Sequence, residues 1–456
     1  MTMISARVER LPFSGFHRKL LIAGGLGYTF DAMDGAVLAF VIPVLRTAWN
    51  LSTVQLGAMG SLGFVGAIVG AFAAGTLGDL IGRRKVMISA LVLYCLASAA
   101  SALANDWITF TGWRFVAGIG AGAESVIIAP YLSEFVARRY RGIFTGALAG
   151  FFSFGFVLAA LLGYFFVPAS PDGWRHVIFI TAAPVVILLW WRRSLPESPR
   201  WLESQGRAAE AEATLTTMET FAIQRGTTLP PLDPEEVASQ PPSTERGSPL
   251  KNYATLLSRK LRRITFMTWA LWMSQSFSYY AFFSWIPSLL VQNGMSLTKS
   301  FGFSIVMYVA QIPGYFSAAW LNEAIGRKAV IVSYMLLGGL AAITMGLATG
   351  DTQIMLAGIA LSFFMNGAYA GIYAYTPEVF PTHVRATGTG MASGMSRFGG
   401  AAAPLMVGMV YPAAGFAGVF GMTTGVLLFG ALAVLIFGVS TKNRSLEAIS
   451  AEEMAH

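Results

Sequence analysis

Three pairs of signals in this chain recur at one offset of 244 residues. Gly78-Asp79-Leu80-Ile81-Gly82-Arg83-Arg84-Lys85 returns as Asn322-Glu323-Ala324-Ile325-Gly326-Arg327-Lys328, which sets Asp79 against Glu323 and Arg83 against Arg327. Glu134 and Arg141 return as Glu378 and Arg385, and Ile42-Pro43 returns as Ile286-Pro287. Chance does not hold register across long apolar stretches, so the chain reads as a duplication whose halves fold alike.

The medium of those halves follows from composition. Of 456 residues 55% are hydrophobic and 12% charged, with a mean hydropathy of +0.60, whereas soluble domains carry about 25% charge. A hydrocarbon core about 30 Å thick takes about 20 apolar residues per helical crossing. Segments of that length fall near 20–45, 55–78, 86–104, 109–133, 143–167, 174–192, 264–292, 301–321, 329–349, 353–375, 386–412 and 416–439. The expected fold class is an all-α membrane protein with twelve transmembrane helices in two six-helix bundles related by pseudo-two-fold symmetry. Its expected domains are a bundle over 1–193, a linker over 194–262, a bundle over 263–440 and a tail over 441–456.

Short loops that retain Lys and Arg stay on the cytoplasmic side. Arg18, Lys19, Arg83, Arg84, Lys85, Arg138, Arg139, Arg141, Arg192, Arg193, Arg262, Arg263, Arg327, Lys328, Arg385, Lys442 and Arg444 fall on one side, and only Arg46, Arg175 and Lys299 on the other. Both termini are therefore expected in the cytoplasm, and this asymmetry accounts for the net charge of +8 without a nucleic-acid partner. The first apolar stretch is too long for a signal-peptide core and reads as a retained helix. Cys95, the single cysteine, reads as packing in mid-helix. The linker holds Pro230-Pro231, Asp233-Pro234-Glu235-Glu236 and Pro241-Pro242-Ser243, which cannot build a core. Its first part, about 200–222, reads as an amphipathic interfacial helix through Trp201, Leu202, Leu215 and Phe221.

Gly75, Gly78 and Gly82 allow a tight turn between the second and third helices, and Asp79 beside them can pair with a cation or a helix N-terminus across the interface between the halves. Such a pair, made in one state and broken in another, would act as a latch. A solvated basic loop that only anchors topology is the alternative, and the second copy at 322–328 weighs against it. In that copy Glu323 replaces the aspartate and Asn322 the glycine, so the two latches need not work alike.

This run resembles the signature of the major facilitator superfamily, and the resemblance spans essentially the whole chain. Arg114-Phe-Val-Ala-Gly118-Ile-Gly120-Ala-Gly122, Pro196-Glu197-Ser198-Pro199-Arg200-Trp201 and Pro377-Glu378-Val379-Phe380-Pro381-Thr382 are similar to its sugar-porter-like branch. Phe30-Asp31-Ala32-Met33-Asp34, Ser278-Tyr279-Tyr280, Trp285-Ile286-Pro287, Gln311-Ile312-Pro313-Gly314-Tyr315 and Tyr373-Ala374-Tyr375-Thr376-Pro377 resemble the bacterial niacin transporter family, relatives of the SV2-type proteins. That resemblance implies uptake of nicotinate driven by protons, across a bacterial cytoplasmic membrane.

A charge inside a membrane helix costs a few kcal/mol and is a functional candidate by default. Asp31 and Asp34 share a face of the first helix, where neighbouring carboxylates favour holding a proton. Asp34 is the leading proton carrier and Asp31 the runner-up; the resemblance implies that Arg114 pairs with the ionised acid. A static pair joining helices 1 and 4 is the alternative. Glu124 reads either as a second protonation site or as a partner of helix 1 or 2. By their repeat positions Glu134, Arg138, Arg141, Glu378 and Arg385 join Asp79, Arg83, Glu323 and Arg327 in a cytoplasmic gate network, expected to join the two halves in the outward-open state.

Arg397 is assigned to the substrate, because a planar guanidinium in mid-helix 11 can hold a carboxylate with two hydrogen bonds, as against a structural Arg beside a glycine-rich bend. Trp272, Gln275, Phe277, Tyr279, Tyr280 and Trp285 in helix 7, with Asn366, Tyr369 and Tyr373 in helix 10, offer an aromatic cage for a flat ring. Tyr279 and Tyr369 are the expected stackers and Gln275 and Asn366 the expected hydrogen-bond partners; Trp285 is also a candidate gate or anchor. Gly66, Gly70 and Ala74, with Gly388, Gly390 and Gly394, read as close-packing surfaces. The expected activity is proton-coupled symport of a small aromatic monocarboxylate by a monomer in lipid. Another small acid such as benzoate, or a receptor that binds without turnover, are the alternatives. The four histidines lack ligand or triad spacing and no nucleotide-binding loop is present, so neither an enzyme, a metal nor a cofactor is expected.

Overall fold

A computed structural model describes residues 4–182, 186, 195–223, 229–231, 249–381 and 384–441. Outside the described residues lie the end of the sixth expected span, most of the linker beyond 223, the tail after 441, and the side chains of Asp79 and Arg138. The first half comprises α1 (Ile4–Glu9), α2 (Gly15–Ala48), α3 (Thr53–Ile81), α4 (Arg83–Ala102), α5 (Trp107–Ser133), α6 (Arg138–Phe166) and α7 (Gly173–Ala182). The linker region holds α8 (Pro199–Ser204), α9 (Ala208–Ile223) and α10 (Pro249–Leu256). The second half runs through α11 (Arg262–Phe283), α12 (Ile286–Gln292), α13 (Leu297–Val309), α14 (Gln311–Ala324), α15 (Arg327–Gly346), α16 (Asp351–Val379) and α17 (Arg385–Phe437).

Among the described residues seven helices are long and apolar enough to cross a membrane: α2 to α5, α15, α16 and α17. The other expected spans fall on α6, on the described part of α7, and on two broken helices. Proline breaks both. Pro287 has no N–H to give and its ring displaces the carbonyl four residues back, so α11 stops at Phe283. The Phe283 carbonyl instead accepts the Tyr308 hydroxyl at 2.6 Å. Pro313 does the same to Val309, and α13 gives way to α14. Expected spans eleven and twelve run on as α17, turned at Gly415, whose φ of 63° suits only glycine.

By contact the chain forms two compact units. The first holds Met1–Gly35, Gly66–Leu158 and Arg175–Arg246. In it α3 and α5 approach closely: a Cβ at Gly66 would land on the Phe115 carbonyl, one at Gly70 on the Ile119 carbonyl and one at Gly122 on the Ala67 carbonyl. The expected close-packing role of Gly66 and Gly70 has this physical basis. The interfacial helix expected at 200–222 is two helices, α8 and α9, divided at Gly206. Their apolar residues Trp201, Leu202, Leu215 and Met218 are buried in a core with Ile4, Val8 and Leu11, so α1 covers the face that the sequence assigns to lipid. Ion pairs fasten the edge: Arg7 to Glu219 at 2.7 Å and Glu212 at 2.5 Å, Arg10 to Glu219 at 2.6 Å, and Glu9 to Arg200 at 3.0 Å and Arg141 at 3.1 Å. Burial opposes the Glu219 charge, but hydrogen bonds from Arg7 and Arg10 outweigh it and hold that carboxyl below its usual range.

The second unit holds Ala36–Val65, Ala159–Trp174 and Gly247–His456. Here the later part of α2 sets Phe40 edge-on to Phe301 at 5.0 Å and to Tyr308 at 5.8 Å. α3 meets α17 where Ser61 accepts the Leu405 N–H at 3.1 Å. Gly388 packs on the Phe380 ring, but a Cβ at Gly390 or Gly394 would meet no described atom within 4 Å. Those two glycines face open space rather than a neighbouring helix.

Candidate functional site

α2, α4, α5 and α7 bring four polar side chains together inside the first unit. Asp34 is 4% exposed and Arg114 7%. Arg114 Nη1 lies 3.0 Å from Asp34 Oδ2 and 3.3 Å from Oδ1, while Nη2 donates to the Asp34 carbonyl at 3.2 Å. Ser98 donates to Oδ1 and accepts from Arg114 Nη1 at 3.1 Å. Thr181 Oγ1 stands 3.0 Å from Oδ1 and 2.8 Å from the Ile178 carbonyl, so its one proton serves either acceptor. The carboxylate is thus met by a guanidinium and two hydroxyls away from water, the partnering a buried charge requires.

Asp31 is half-buried one turn earlier and Glu124 is 2% exposed. Tyr94, fully buried on α4, lies in electrostatic range of Glu124, Asp34 and Asp31 together. Gly120 lets α5 press against Tyr94, which sets Glu124, one turn further along, beside α4. All four residues expected to couple protons therefore occupy one neighbourhood. Ser98 and Thr181 escape sequence reasoning, since a lone hydroxyl in an apolar helix usually bonds to its own backbone.

The aromatic residues gather in the second unit. Trp272 meets Tyr373 edge-on at 5.0 Å and Tyr369 at 6.3 Å. Tyr279 meets Tyr369 at 5.4 Å and Tyr280 at 5.3 Å, and Tyr280 packs on Phe64 at 4.4 Å. The expected stackers Tyr279 and Tyr369 touch edge to face at 77° instead of bracketing a gap. Their mutual packing is the favourable arrangement for two neighbouring rings.

Polar groups thread this cluster. Trp272 donates to Thr376 at 2.9 Å, Gln275 to the Met365 carbonyl at 2.7 Å and Asn366 to the Gln311 carbonyl at 2.8 Å. Tyr279 donates to Gln311 Oε1 at 2.8 Å. Gln275 Oε1 and Gln311 Nε2 are buried without a hydrogen-bond partner, one acceptor and one donor. Gln311 is absent from the expected site, although a glutamine beside a proline in an apolar span is a readable signal. Tyr373 is 52% exposed and in electrostatic range of half-buried Arg397. Trp285 is fully buried at the break between α11 and α12.

The duplicated motifs form duplicated structure. Arg83 pairs with Glu134, and Arg327 pairs with Glu378 at 3.2 Å. Arg141 Nε donates to the Val136 carbonyl at 2.9 Å, and Arg385 Nε to the Phe380 carbonyl at 3.3 Å. Gly82 and Gly326 start α4 and α15 with φ of 101° and 95°. The expected network joins the halves, whereas the pairs Arg83–Glu134 and Arg327–Glu378 each lie within one half. In the first copy Ser198 donates to Glu134 and Glu197 accepts the Arg84 N–H at 3.2 Å; in the second Glu323 joins Arg327 at 2.8 Å. Glu197 was readable only as part of the Pro196-Glu197-Ser198 string.

The family model described as "Sugar (and other) transporter" matches residues 25–452. The niacin transporter NiaP of Acinetobacter baylyi is 36% identical over 98% of this chain and 100% of its own length. The gallate transporter of Pseudomonas putida is 28% identical over 88% of this chain and 87% of its own. Among solved structures, the xylose transporter XylE from E. coli in a partially occluded inward open conformation superposes with a TM-score of 0.78 at 19% identity, covering 95% of this chain and 100% of that one. With these matches along its whole length, the chain belongs to the sugar transporter family of the major facilitator superfamily, as a multi-pass membrane transporter and not an enzyme.

Proposed function

We propose that the chain is a proton-coupled symporter that imports a small aromatic monocarboxylate, nicotinate foremost, by alternating access across a bacterial cytoplasmic membrane. The observation that carries this reading is the buried Asp34–Arg114 pair with its two hydroxyl partners. A proton arriving on Asp34 would strip Arg114 of its counter-charge, so protonation changes the energy of this helix contact. That is the differential interaction a coupled transporter needs. The excess of Lys and Arg on one side supports cytoplasmic termini.

For the cargo, the cluster around Tyr279, Tyr369 and Trp272 supplies ring faces and edges, the amides of Gln275 and Gln311 supply an acceptor and a donor, and Arg397 supplies the charge for a carboxylate. The name of the Acinetobacter relative supports nicotinate. The gallate transporter supports a second reading in which another aromatic acid is carried, since the same groups suit any flat ring with a carboxylate. The gate pairs around Glu134 and Glu378 are the elements we assign to the exchange between states, in a monomer of two six-helix bundles flanking the linker.

The test is radiolabelled nicotinate uptake in cells lacking their own carrier, with benzoate and gallate as competitors. Uptake that stops with a protonophore, and falls in Asp34→Asn and Arg397→Lys, is the expected result. Uptake that ignores the proton gradient overturns the coupling; competition by gallate but not by excess nicotinate overturns the substrate.

A further inference from the structure

Two grooves flank the end of α17, the second of them bordering the 322–328 copy of the latch motif. The first, about 440 Å³, lies between α11 and α17, with Arg263 at its mouth and Ala270, Leu432 and Phe437 along it. The second, about 370 Å³, lies between α15 and α17, with Lys328 and Ser440 at its mouth and Leu336 and Leu435 along it. Arg263 and Lys328 are each the second residue of their helix, and Phe437 is the last of α17. Both cations therefore stand at helix ends, while the floors run along membrane-spanning walls.

The chemistry of the two grooves is the same. Phe437, Leu336 and Leu435 are 41–51% exposed on helices that cross the bilayer, so acyl chains cover them. Among the described residues no Asp or Glu lines either groove. Lys328 gives one proton to the Gly438 carbonyl at 2.8 Å, and an ammonium has two more to offer. An apolar trough that ends on a cation at headgroup level complements a phosphodiester with a hydrocarbon tail. A free anion would leave the floor bare, and a zwitterionic headgroup would set its own cation against the site.

We propose that each groove seats one anionic phospholipid, with its phosphate on Arg263 or Lys328 and an acyl chain along the floor. Native mass spectrometry of the full-length chain, released from micelles doped with phosphatidylglycerol or phosphatidylcholine, tests this. Phosphatidylglycerol adducts should exceed phosphatidylcholine adducts. Arg263→Gln and Lys328→Gln should each weaken phosphatidylglycerol binding at their groove about five-fold, the worth of one cation beside anionic lipid. Ala270→Trp fills the first groove without changing charge and should also lower occupancy, which separates a seated lipid from a loose counter-ion. Equal adducts of the two lipids overturn the proposal. So does unchanged phosphatidylglycerol occupancy in both Arg263→Gln and Ala270→Trp. Displacement of the lipid by inorganic phosphate also overturns it and marks a plain anion site.

Discussion

Replacing Asp34 with Asn isolates the ion pair from the rest of its surroundings. The amide keeps the shape and an oxygen for the Ser98 and Thr181 hydroxyls, so those contacts, about 1 kcal/mol each, survive. What disappears is the charge opposite Arg114, which at 7% exposure cannot be rescued by water. Stranding one member of a buried pair costs about 3–5 kcal/mol. Removing the stranded cation as well, in Asp34→Asn/Arg114→Met, should recover much of it, giving an interaction energy of about 2 kcal/mol or more in a double-mutant cycle. Equilibrium unfolding in mixed micelles reads the cycle. In proteoliposomes Asp34→Asn should retain counterflow and lose accumulation under an inward proton gradient. A double variant no more stable than the sum of the singles would refute the buried-pair reasoning, and unchanged accumulation would refute the proton role.

Further outcomes follow from other contacts. Gly82→Ala forces a side chain into φ 101° and sets its Cβ 2.6 Å from Glu197 Oε2, so thermal stability should fall by about 1–3 kcal/mol. Gly150→Ala, a helical position with nothing within 4 Å, should be neutral or stabilising. Tyr279→Phe removes the bond to Gln311 and should raise the apparent KM for nicotinate about five-fold; an unchanged KM in both Tyr279→Phe and Gln311→Ala puts that amide outside the binding path. Because Glu219 is held below its usual carboxyl range, its contribution to docking α1 is complete above the ordinary value near pH ~4.3 and is lost as pH falls through the folded value. Hydrogen exchange of residues 4–10 should therefore show protection at pH 7 that fades in acid, and Glu219→Gln should show little protection at either pH.

The repeat carried much of the fold, because copied motifs resolve into copied contacts, Arg83–Glu134 and Arg327–Glu378, or Gly82 and Gly326. The Ile-Pro copy does not, since Pro43 lies within unbroken α2 and Pro287 follows a break. Spans were legible because lipid imposes length and apolarity on every crossing. What was not legible has physical causes. Ser98 and Thr181 matter only through the distance to Asp34, which no local pattern encodes. The face of α9 satisfies lipid and protein equally by composition, and only the packing of α1 decides between them. Tyr279 and Tyr369 are expected to stack on a flat ring, but whether they bracket a gap or touch one another is a tertiary property.

The Phe283 carbonyl set loose by Pro287 accepts the phenol of Tyr308, whose ring also meets Phe40 and Phe283. Straightening the seventh span would have to unseat this phenol, and the same movement would disturb its contact with the first. Bending and sealing are thereby tied to one tyrosine. A chain carrying Phe at position 308 would keep the aromatic contacts and lose the tether, leaving the elbow to flex without pulling on its neighbour.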